Sequence, residues 1–204
     1  MDEGGKDQEV KPIISNLFPL QEESVSNAFR DLDPRENPFS AQKAVDEETR
    51  MFRDANPNVF SYFADFAQEM RDGKVPEDGI NQMFWGIMLC YRALREEAKS
   101  KGGVLPQFTD EFIESYDKND MENIKAECTD KGISRGQAIA QLANMDIVRF
   151  ENLELKFNKI IREEFGRQPN WQANQDFKYS GIMDVYFLFR EGCSDPKNFQ
   201  KAPR

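Results

Sequence analysis

With 204 residues the chain can bury one substantial core, or two small domains sharing one, without disulfide or metal staples. Its 37 acidic against 27 basic side chains leave a net charge of −10, which argues against a general surface for nucleic-acid phosphates. Histidine is absent, which removes the commonest general base, the histidine-dependent triads and dyads, and the commonest metal ligand.

Taken in order, residues 1–11 are polar, charged and glycine-containing, a composition that cannot offset ordering entropy by burial. Prolines 12, 19, 34 and 38 interrupt the next stretch, so residues 1–38 read as a flexible or draped arm with a helical turn or two at 22–32. Ser40 is the expected N-cap of a first regular helix reaching Asp54. Asn56-Pro57 restarts the chain in the favoured order of cap residue then proline, and Val59, Phe60, Phe63, Phe66, Ala67 and Met70 form an apolar stripe ending at Gly73.

Residues 79–101, GINQMFWGIMLCYRALREEAKSK, are apolar on every side up to Arg92, the mark of a helix enclosed by others. The apolar stretch fades by Leu94, short of the roughly 20 residues a bilayer span needs. Gly86 inside it predicts a close backbone neighbour, and Gly102-Gly103 the stop. Thr109 caps a short acidic helix, and residues 120–129 are expected to form another that Gly132 closes. Ser134 with Gln137 forms a capping box that opens one long helix at about 135–165, with a kink near Asn144 where the apolar pattern changes phase at Met145–Val148. Residues 168–178 read as a loop anchored by Trp171, residues 180–192 as a helix capped by Ser180 and Gly192, and residues 193–204 as a polar tail.

The expected fold is therefore all-α: an irregular helical bundle of about six to seven helices around a buried central helix, residues 39–192 forming a single domain. Cys90, Cys128 and Cys193 are odd in number, widely separated and without a CxxC, so neither a disulfide framework nor a closed zinc site is indicated. No signal-peptide pattern opens the first twenty residues, and the expected location is cytoplasmic, with no membrane partner.

Acidity is unevenly spread. Residues 1–132 hold 28 acidic and 16 basic side chains, net −12, whereas residues 133–204 hold 9 and 11, net +2. From Asp110 to Asp130 there are eight acids and two lysines beside a thin apolar stripe. Such one-signed charge costs stability through self-repulsion that a partner would relieve, so Asp110, Glu111, Glu114, Asp117 and Glu122 are the candidate partner-binding residues. The same stretch contains Glu111 and Glu114, then Glu127 and Asp130, an ExxE…ExxD spacing whose i, i+3 pairs share helix faces and suit Mg²⁺ if the two pairs face each other. That spacing resembles the metal motif of all-α nucleoside triphosphate pyrophosphohydrolases, which implies a magnesium-dependent activity at those four carboxylates. The apolar MFWGIMLCYRAL followed by LPQFTDEFIES resembles phage tail-assembly chaperones over about fifty residues, which implies a morphogenesis role. Glu163-Glu164 with Asp184 is a further carboxylate group that the last two helices can bring together.

No phosphate-binding glycine loop, GxSxG elbow or HExxH occurs. The expected function is thus a non-catalytic interaction or assembly protein without cofactor, binding a protein partner, a basic one by charge, or a second copy of itself. An acidic decoy occupying a nucleic-acid-binding protein is the remaining alternative.

Overall fold

The computed structural model describes residues 13–32, 38–166 and 175–200. Among them are eight α-helices: α1 Glu22–Leu32, α2 Pro38–Ala55, α3 Pro57–Asp72, α4 Glu77–Ser100, α5 Asp110–Lys131, α6 Arg135–Leu153, α7 Leu155–Gly166 and α8 Gln175–Gly192. Extended structure among the described residues amounts to two isolated bridges, Ile13 with Val104 and Phe108 with Phe199. The all-α bundle is as expected, with more helices than the six to seven anticipated. Trp171 and the segments 1–12 and 201–204 lie outside the described residues.

Helix α4 packs against α1, α2, α3 and α8, and its largest interface is with α8. Ile80, Met83, Ile87, Met88, Cys90, Tyr91 and Leu94 are buried along it, while Phe84 and Trp85 are half-buried against the core. Two glycines make the α4–α8 crossing possible. A Cβ on Gly86 would collide with the carbonyl oxygen of Lys178, and one on Gly181 would collide with that of Met83. The backbones are therefore in direct contact, as Gly86 led one to expect, and Gly181 is its counterpart on the opposite helix. Around this seam Phe52 stacks on Tyr91 with ring centroids 4.1 Å apart, and Phe189 stands edge-on to Tyr91 at 6.1 Å and to Phe108 at 5.1 Å. Such pairs add to area burial by about 0.5–1.5 kcal/mol each.

Several local signals fold as read. Thr109 Oγ1 accepts from the Phe112 N–H at 3.2 Å, the Ser134–Gln137 capping box forms, and Gly102 and Gly132 take the left-handed backbone conformation at φ 76° and 62°. Others are corrected. Helix α2 begins at Pro38, ahead of Ser40. Asn56 occupies the cap position of α3, yet its side chain is buried and turned to the Tyr91 hydroxyl at 3.5 Å, making no cap bond. Helix α8 begins at Gln175, so Ser180 is interior and its hydroxyl reaches Asp184 at 3.5 Å. The two short acidic helices are one continuous α5, because the polar residues Asn119 and Asp120 carry no breaker between them and the helix runs to Gly132.

The single long helix at 135–165 is two helices, broken at Glu154, whose φ of −125° and ψ of 58° leave the helical region, while Asn144 lies inside unbroken α6. The reason is chemical. The Glu154 carboxylate is buried and accepts from the Leu20 N–H at 3.2 Å and the Tyr186 hydroxyl at 2.8 Å, and the turn there sends α7 against α1. The chain before α1 is held as well: the Ile14 N–H donates to the Val104 carbonyl at 2.9 Å, Leu17 and Leu20 are buried, and α1 buries Val25, Ala28, Phe29 and Leu32. At the other end Phe199 packs 6.1 Å from the Phe108 ring, and the Gln200 N–H donates to the Gln107 carbonyl.

Glu48 of α2 is buried and accepts from Arg92 at 2.9 Å and from two nitrogens of Arg95 at 2.9 Å, while Arg92 also reaches Asp31 at 2.6 Å. These bonds tie α1, α2 and α4 together. Glu48→Ala is expected to lower unfolding free energy by about 3 kcal/mol, the low end for breaking a buried pair because both arginines keep some access to water; denaturant titration measures it. Gly86→Ala and Gly181→Ala should each cost about 3 kcal/mol or more, since backbone rather than a movable side chain must yield. A loss of about 10 °C in thermal midpoint is the expected reading, and an unchanged midpoint in either variant would refute the close crossing.

Candidate functional site

Helix α5 carries the partner-binding candidates, and its attachment is uneven. Phe112 and Ile113 are buried and Tyr116 half-buried, with Phe112 5.1 Å from the Phe108 ring and Tyr116 6.2 Å from Tyr62. Beyond Tyr116 the apolar positions Met121, Ile124 and Cys128 are only half-buried. Asp110, Glu111, Glu114, Asp117 and Glu122 are all exposed. Only Glu122 of these has a described ion pair, with Lys118 at 3.7 Å, a surface pair of small worth.

The four carboxylates of the ExxE…ExxD spacing are not brought together. Because α5 is continuous, Glu111 and Glu127 are sixteen positions apart on one helix, roughly 24 Å at 1.5 Å per residue. Pairs so placed cannot face one another across one ion. Glu127 is instead paired with Lys131 at 2.5 Å. Asp184 does join other carboxylates, although not those foreseen: Glu163 is exposed and pairs with Lys159 at 3.8 Å.

What faces Asp184 is Asp120 of α5 and Asp146 of α6. Burial pushes Asp184 up to about 7, with the charges of Asp120 and Asp146 adding to the shift, and burial raises Asp120 to about 6, with Asp146, Glu191 and Asp117 contributing. Asp146 is also raised by burial, against the opposing pull of Arg149. Asp184 keeps a partly accessible surface and Asp120 an exposed one, so water moderates both. The charges of Asp120 and Asp146 thus oppose the ionisation of Asp184, and that of Asp146 opposes the ionisation of Asp120. Among the described residues no group of three or more acids or cysteines is arranged to hold a metal ion.

A shallow cleft of about 350 Å3 lies elsewhere, between the chain preceding α1 and the end of α8, lined by Asn16, Phe18, Leu153, Arg190 and Cys193. Its arginine is engaged, donating to the Tyr186 hydroxyl at 3.0 Å and lying over the Phe18 ring at 5.7 Å. Its thiol is not activated, since burial pushes Cys193 up to about 12. Burial likewise raises the Cys90 thiol.

The polar residues that sequence reasoning overlooked are Glu48, Glu97 and Glu154, all buried. Glu97 accepts from the Ser24 hydroxyl at 2.8 Å and the Gln21 N–H at 3.0 Å, and pairs with Lys101 at 3.2 Å. With Glu154 on the Leu20 N–H, two carboxylates far off in sequence satisfy the backbone donors just ahead of α1. Each sits on an apolar stripe: Val45, Glu48, Phe52; Ala93, Leu94, Glu97; Phe150, Glu154, Phe157. An acid at such a position is the signal that was available.

No family model, no curated protein and no solved structure matches this chain. Among the described residues no helix is long and apolar enough to cross a membrane.

The raised carboxylates make a signed prediction. A carboxyl raised in the folded state binds more protons there than in the unfolded chain, so its contribution to stability is present below about pH 4 and lost as pH rises through about 7. Asp184→Asn removes this loss. In denaturant titrations across pH 4 to 8 (about the span of that transition), the variant should gain stability relative to the native protein as pH rises. A constant difference across the range would contradict it.

Proposed function

We propose that this protein is a non-catalytic helical interaction protein that engages a basic protein partner through the acidic surface of α5. The observation that carries the reading is that α5 buries only Phe112 and Ile113, both in its first turn, while Asp110, Glu111, Glu114, Asp117 and Glu122 are exposed. Mutual repulsion along one helix costs a few tenths of a kcal/mol per like-charged pair. A bundle with an adequate core tolerates this cost, and a basic partner reverses its sign. The separation of Glu111 and Glu114 from Glu127 and Asp130 along a continuous helix favours binding over the magnesium-dependent hydrolysis that the spacing resembles. The raised thiols supply no ready nucleophile.

Exposed charges are screened over about 8 Å at physiological ionic strength, so association should weaken with salt, its on-rate falling more than its off-rate rises. The test is capture of partners from the native host by the full chain, repeated at high salt and with Asp110, Glu111, Glu114, Asp117 and Glu122 all changed to lysine. Recovery is expected to fall at least about tenfold in both arms. Undiminished recovery of the same partners in both would overturn the reading.

A further inference from the structure

The phase change in the apolar pattern at Met145–Val148 leads one to expect a change of neighbour; Ile147 packs against the core, but the two apolar side chains that bound the stretch stay exposed. Met145 is 60% exposed and Val148 57%. Three residues apart, they share one face of α6. Isolated exposed apolar side chains are ordinary, but this pair stands beside the acidic helix. Helices α5 and α6 pack together, joined by residues 132–134, and Asp146, the neighbour of Met145, lies near enough to Asp120 for its charge to oppose that residue's ionisation. The register therefore brings the exposed apolar pair level with the middle of the acid-bearing helix.

Resting on the function proposed above, we propose that the α5–α6 face docks a basic amphipathic helix of a separate partner protein, Met145 and Val148 receiving its apolar side and the α5 acids its lysines or arginines. Charge selects this occupant. A second copy would bring a net charge of −10 to this surface. The segment 1–11 of this chain carries four acids and two lysines, the wrong sign for the surface. A nucleic acid is repelled. A helix with apolar residues at i, i+3 and i+4 and cations on its flanks satisfies both the apolar pair and the acids.

The test uses the full chain and two synthetic lysine–leucine peptides of about 18 residues, five turns of helix. One gathers its leucines on a single face and its isomer scatters them. Anisotropy titration should show the amphipathic peptide binding at least about tenfold tighter than the isomer. Met145→Ser with Val148→Ser, both at exposed positions, should erase that preference and leave a weak salt-sensitive attraction to both peptides. Equal binding of the two isomers by the native chain would overturn the docking proposal while leaving the acidic-surface reading intact. Unchanged peptide binding after the five lysine substitutions would overturn the acidic reading itself. A native dimer that dissociates in the double serine variant would show that the apolar pair is covered by a second copy, and would also overturn the proposal.

Discussion

Contact between the backbones of α4 and α8 is the constraint on which the remaining packing depends. With Gly86 and Gly181 facing the opposite main chain, the two helices approach closely enough for Met83, Ile87, Ile182 and Tyr186 to be buried around them. Larger residues at the crossing would push the axes apart, and the aromatic relay from Phe52 through Tyr91 and Phe189 to Phe108 would lose its contacts together. Helix α5 hangs from the end of that relay by Phe112, so the placement of the acidic surface traces back to two missing side chains in the core.

Ionic groups complete what the apolar core leaves open. Burying a carboxylate is costly unless donors surround it, and Glu48, Glu97 and Glu154 are each met by at least two partners. All three join segments far apart in sequence. Their arrangement specifies how α1 and α2 lie on α4 more sharply than apolar surfaces, which slide, can do. The aspartates at the α5, α6 and α8 junction are the opposite case, carboxylates gathered without cations enough to balance them.

The parts legible in the sequence were those governed by local chemistry. Continuous apolar character marked α4, glycine inside it marked a close crossing, and Thr109, Ser134 and Gly132 marked helix ends, because caps and glycine conformation depend on residues a few positions away. The break at Glu154 was not legible, since its cause is a buried carboxylate bonded to Leu20, 134 positions earlier, and to Tyr186. Asn56 misled for the same reason: a cap residue by type, it was claimed by Tyr91. For the candidate site, the exposure of the five acids on α5 was readable from their density, whereas the meeting of Asp120, Asp146 and Asp184 required three helices to be placed in space.

The bond between Leu20 and Glu154 also sets an order of events as the chain leaves the ribosome. Helix α1 is short, about three turns, below the length at which isolated helices hold together in water. The two N–H groups just ahead of it, on Leu20 and Gln21, find their acceptors on Glu154 and Glu97, and Glu154 is itself held by Tyr186. Although α1 is synthesised before the other described helices, it is thus among the last of them to be secured, and Tyr186 must emerge before α1 has its full support.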